Sequence, residues 1–169
     1  TTKDFEMIDE NTFAIIKDWY HYAILNLMRT KEFKPQPAWI ARRLNITLGE
    51  AQSAVERLQA VGILKDENGT WVDTSSKFTS HTNNKKPAAA AKENQIQLFE
   101  KALNAIHDVD FEKRNHTGVT LAISLKELDH AKEFITSFRR RFMQNFDETE
   151  NADEVYHLSI ALFPLTKSE

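Results

Sequence analysis

The chain has 169 residues, with 22 Lys+Arg against 25 Asp+Glu and a net charge of −3. That length suits one ordinary domain or two small ones, and eleven Phe with three Trp argue against disorder. The absence of cysteine excludes disulfides, thiol catalysis and cysteine-based metal sites. The polar start predicts no secretion signal, and no run approaches the ~20 apolar residues of a membrane span. The expected setting is therefore the cytoplasm, with no membrane partner.

Residues 12–29 show a helical period, with Phe13, Ile16, Tyr20, Ala23, Ile24 and Leu27 at three- and four-residue steps. Asn11 or Thr12 is placed to cap that helix. Pro35 and Pro37 then break the chain, and Pro37 opens a short helix over 37–44. After a turn at 45–47, Thr47 and Glu50 have the spacing of a capping box for a third helix, which Gly62 stops. Two short apolar runs around Asn68-Gly69 predict a hairpin, since both residues tolerate positive φ. Helix, helix, turn, helix, hairpin is the order of a winged helix-turn-helix.

A DNA-reading surface needs cations for phosphate and donors for base edges. The candidates are Arg42 and Arg43 on the second helix, Gln52, Ser53 and Arg57 on the third, and Lys65 on the hairpin. Residues 47–75 hold two cations (Arg57, Lys65) against five anions (Glu50, Glu56, Asp66, Glu67, Asp73). Phosphate neutralisation drives most nucleic-acid affinity. Such a surface predicts a packing or protein-contact module ahead of a strong operator reader.

Residues 74–86 are polar and aperiodic, as in a linker. From Pro87 onward a helix-rich run carries an apolar stripe of Ile96, Phe99, Leu103 and Ile106. Residues 117–125 alternate, with Val119, Leu121, Ile123 and Leu125 on one side, and predict a strand. Residues 126–146 return to helical period through Leu128, Ala131, Phe134, Ile135, Phe138, Phe142 and Phe146. Burying those seven would contribute on the order of 10–20 kcal/mol before entropy, so this helix is expected to pack on something broad. After an acidic segment, 147–154, expected to be a solvated loop, residues 155–165 predict a second strand.

Strand, helix, strand is a βαβ unit if the strands share a sheet. A two-stranded sheet is weak alone; either the wing hairpin joins it or a second copy of the chain does, in a symmetric dimer that pairs edge strands. The expected fold class is α+β: a winged helix-turn-helix in residues 1–75, a linker at 76–86, and a long helix with a strand-helix-strand module in 87–169.

No catalytic motif, glycine-rich phosphate loop or paired metal motif is found, so no enzyme activity and no cofactor are expected. His107, Asp108 and Asp110, with the Arg114/His116 turn, offer what little a metal or small-ligand sensor would need. Their ordinary reading is a polar helix end. Arg139, Arg140 and Arg141 spread over about 200° of helix, so they cannot all face one groove. Arg140 and Arg141 are the candidates there for contact with a DNA backbone or an acidic partner. The ordinary reading is a solvated face.

Several separated segments resemble a known family. They are residues 18–25, the Ala38-Trp39-Ile40-Ala41 run with Leu44, the stretch from Ala54 through Leu58 to Gly62-Ile63-Leu64, Arg114 with residues 120–124, and the ending Phe163-Pro164-Leu165-Thr166. Together they look like a bacterial domain of unknown function. That resemblance covers nearly the whole chain but departs from the family pattern at Lys92 and Asn94, where Arg and His are expected.

The resemblance implies a position C-terminal to a lambda-repressor-like helix-turn-helix domain. It also implies a place in transcriptional regulators of predatory and fibre-degrading bacteria, and it assigns no catalytic residues. The expected function is a regulatory or dimerisation domain of a bacterial transcription regulator. Homo-oligomer formation is expected, and DNA is a candidate partner, reached through an upstream domain missing from this chain. Modest direct DNA binding and small-ligand or metal sensing are the alternatives.

Overall fold

The computed structural model describes residues 6–7, 10–75, 78–79, 89–147 and 151–167. The described residues are mainly helical, with a small antiparallel hairpin, an α+β composition. The N-terminal part contains β1 (Glu6–Met7), α1 (Glu10–Ile15), α2 (Trp19–Leu27), α3 (Pro37–Leu44), α4 (Leu48–Ala60), β2 (Leu64–Glu67) and β3 (Thr70–Asp73). Then come β4 (Phe78–Thr79), α5 (Ala89–Asp108) and α6 (Leu128–Phe146). Two-residue β1 and β4 pair in parallel; the remainder of the expected linker lies outside the described residues.

Local chemistry accounts for the three-helix unit and its hairpin. Pro37 occupies the first turn of α3, where its missing N–H costs nothing. Asn45 ends α3 in the left-handed region at φ 52°, which asparagine tolerates better than most residues. The capping box forms at α4: Glu50 N donates to Thr47 Oγ1, and Thr47 N donates to Glu50 Oε2 at 2.8 Å. Asn68 (φ 58°) and Gly69 (φ 85°) turn the hairpin, which pairs Leu64 with Asp73 and Glu67 with Thr70. Thr74 anchors its end, donating Oγ1 to the Gly62 carbonyl at 2.7 Å.

The core sits wholly between Ile16 and Leu64. Ile16, Ile24, Ile40, Leu58, Ile63 and Leu64 are fully buried, with Ala51 and Ala54 letting α4 approach its neighbours. His21 is buried among them. Its Nδ1 hydrogen-bonds the Asp18 carbonyl at 3.0 Å and its Nε2 finds no partner among the described residues.

Two expectations are corrected here. The single helix over 12–29 is two helices, broken at residues 16–18, and the first starts at Glu10, ahead of Asn11 and Thr12. Residues 117–125 and 155–165 form no sheet together: among the described residues no backbone hydrogen bond joins them. The strand-helix-strand module is therefore not built within one chain. The stripes of α5 and α6 are correspondingly open rather than buried, as neither helix has a buried residue.

Removing part of the core tests which half carries stability. Leu58→Ala is expected to cost roughly 2–5 kcal/mol in urea unfolding, by lost transfer energy plus a cavity. Burial of His21 pushes its pKa below the ordinary value, the Asp18 carbonyl and carboxylate opposing only partly. A histidine kept neutral stabilises the fold above its unfolded pKa of about 6.5 and loses that contribution as pH falls. The urea midpoint is expected to drop between pH 7.5 and 5.5, and His21→Leu to flatten that slope.

Candidate functional site

Three surfaces hold the groups able to act. The first is the α3–α4–hairpin face. Arg42 and Arg43 lie in the last turn of α3; Gln52, Ser53 and Arg57 lie on α4; Lys65 is on β2; all six are exposed. Their cations are not equally available. Arg43 donates to Glu154 at 2.9 Å and lies over the Trp39 ring at 5.6 Å. Arg57 reaches Asp18 at 3.4 Å. Arg42 and Lys65 make no ion pair with a described residue.

Glu154 comes from the acidic segment, expected to be a solvated loop. That segment instead returns to the N-terminal unit. Arg29 pairs with Asp147 at 2.8 Å, Lys31 with Asp153 at 2.8 Å, and Thr30 bridges Ala152 with hydrogen bonds on both sides. Glu148 and Glu150 lie outside the described residues.

The second surface is a polar hub where α5 meets the break between α1 and α2. Ending one helix and starting another leaves backbone groups without helical partners. Side chains of α5 supply them: Asn94 donates to the Lys17 carbonyl at 2.6 Å, and Trp19 N donates to Gln97 Oε1 at 2.9 Å. Gln97 also donates to Asp18 Oδ1 at 3.0 Å, Tyr20 donates to Asp18 Oδ2 at 3.2 Å, and Lys17 pairs with Glu93. Desolvation on its own would raise the Asp18 pKa. The Gln97 and Tyr20 hydrogen bonds, with the electrostatic effect of nearby His21 and Arg57, outweigh it and hold the carboxyl below its ordinary value.

Lys101 stands 3.6 Å from the centre of the Trp19 ring, and desolvation lowers its pKa. A cleft of about 340 Å³ opens beside it, lined by Asp18, Tyr20, Glu50 and Asn104 among others. Neither the hub nor the helix break is signalled by the sequence, because the apolar period runs through 16–18 without interruption.

The third surface is apolar and open. Because α5 docks through its polar face, Ile96, Phe99, Leu103 and Ile106 point away from the core. On α6, Phe138, Phe142 and Phe146 stack on one another at centroid distances of 6.1 and 4.9 Å with no core beneath them. Arg139, Arg140 and Arg141 are all exposed and make no ion pair with a described residue.

Of the residues weighed for a sensor, three are otherwise engaged. His116 hydrogen-bonds the Ala102 carbonyl at 2.7 Å, Arg114 donates to the Val109 carbonyl at 2.9 Å, and Asp110 pairs with Lys113. Among the described residues no three His, Asp or Glu side chains are gathered to hold a metal. No described helix is long and apolar enough to cross a membrane.

A chain with these features falls in the class of α+β domains without an assigned activity. Residues 1–165 match the family described as Domain of unknown function (DUF4423), and the chain belongs to it. No curated protein and no solved structure matches the chain.

The hub makes a direct prediction. Asp18→Ala strands Gln97, Tyr20 and Arg57 without their shared acceptor and is expected to cost about 1–3 kcal/mol in urea unfolding. Trp19 fluorescence should shift with it as α5 loosens, and Asp18→Asn should recover part of the loss.

Proposed function

We propose that this domain is a regulatory or dimerisation domain of a bacterial transcription regulator, acting in the cytoplasm through protein association. One observation carries the reading: among the described residues, nineteen large apolar side chains are exposed on α5, α6 and the two extended segments. Patches beyond a few hundred Å² on a folded domain mark interaction sites. The order of α2, α3, α4 and the hairpin supports a winged helix-turn-helix in the N-terminal part. Its use as a packing element is supported by the Arg43–Glu154 and Arg57–Asp18 pairs, which neutralise two cations a phosphate would need. The DNA reader would then be a lambda-repressor-like helix-turn-helix domain ahead of this one, in the setting of predatory and fibre-degrading bacteria that the sequence resemblance implies.

A second reading, modest direct DNA binding, is favoured by the exposure of Arg42, Gln52, Ser53 and Lys65. Anisotropy titration of a labelled duplex across 50–300 mM salt separates the two. The association reading expects no salt-steep binding and no effect of Arg42→Glu with Lys65→Glu. Binding that falls with a log–log slope of several units, each about −0.9 per phosphate, and that the double substitution abolishes, would establish the second reading instead.

A further inference from the structure

We infer that a second copy of this chain completes the C-terminal half by strand exchange: residues 117–125 of one protomer lie beside residues 155–165 of its partner, forming an intermolecular sheet beneath α6. The inference rests on the association proposed above and names its partner and geometry.

Three observations lead to it. Both segments are extended and alternate apolar with small or polar residues, yet among the described residues 117–123 and 155–165 make no backbone hydrogen bond; the Ser124 and Leu125 carbonyls accept locally from Glu127 N and Leu128 N. Natural edge strands are protected by charge, proline or bulges. Residues 117–125 hold no charged residue at all, and 155–165 hold no Asp, Glu, Lys or Arg, with one proline, Pro164, at the far end. Strands so unguarded are paired in the working state, and the pairing shape each one needs is the shape the other has.

Next, α6 has no roof of its own. The element it contacts substantially is the short turn at Leu125–Glu127 immediately before it. The second segment cannot slide across to fill that space, because its start is tied to the N-terminal unit. Ala152 bridges Thr30, Glu154 holds Arg43, and Val155 packs against the core.

The open area also fits a protein partner of this size. Phe134, Phe138, Phe142, Phe146, Tyr156 and Phe163 are between 38% and 72% exposed. At about 200 Å² per aromatic side chain they leave roughly 700 Å² open, close to the ~800 Å² each partner gives a standard interface, before any aliphatic residue is counted. A two-fold arrangement uses this surface twice, each copy's 117–125 meeting the other's 155–165, so that both open edges close together.

The lack of native cysteine allows a background-free test. Differently tagged chains carrying only Leu121→Cys or only Ile160→Cys are co-expressed and oxidised, with Cys at 158 and 162 as register alternatives. The mass of the untreated protein is measured by light scattering. Strand exchange predicts a dimer and a reducible species of twice the chain mass containing both tags. A dimer in which only like variants cross-link, in which no position cross-links, or in which a double variant closes within one chain, overturns the exchange and leaves the association standing. A strict monomer at about 100 μM overturns both.

Discussion

A peptide group taken out of water must find a hydrogen bond, and among the described residues 117–123 and 155–165 make none to other backbone. That constraint organises what is seen elsewhere. The core between Ile16 and Leu64 is closed, capped and turned by local signals. The second half has secondary structure of comparable length but no interior. Its apolar stripes and its strand edges face the same deficit, and one kind of partner, a strand-bearing apolar surface, would meet both.

The two halves are nonetheless firmly joined, and the joints are polar. Asn94 and Gln97 satisfy the backbone freed by the break between α1 and α2, with Asp18 as a shared acceptor. Arg29, Lys31 and Arg43 receive the acidic segment that follows α6. Surface ion pairs of this kind stabilise little individually. Their consequence is positional: they orient α5 polar side inward and fix where the last extended segment starts. They also draw Arg43 and Arg57 away from any polyanion, which links the second half to what the α3–α4 face is able to bind.

Local features were legible in the sequence because their causes are local. Pro37, the Thr47/Glu50 pair, Gly62 and Asn68-Gly69 set the bounds of α3, α4 and the hairpin through contacts a few residues apart. The helix break was not, since it is fixed by residues 77 to 79 positions away on a helix whose polar face looks like ordinary solvent exposure. The acidic segment read as solvated for the same reason: nothing near it in sequence shows that Arg29, Lys31 and Arg43 are waiting. Periodicity over 126–146 matches the helix α6, while the alternation in 117–125 marks an extended segment that forms no strand. Periodicity says which side wants cover and carries no information on what provides it, and so the expected sheet within one chain did not follow.

Amide hydrogen exchange across a dilution series tests this account most directly, because it reads the unpaired peptide groups themselves. Amides of residues 117–124 and 156–163 should exchange slowly at high protein concentration and accelerate on dilution, while those of α4 and the hairpin stay protected throughout. Fast exchange in both extended segments at every concentration would mean that no partner strand ever reaches them, and would contradict it.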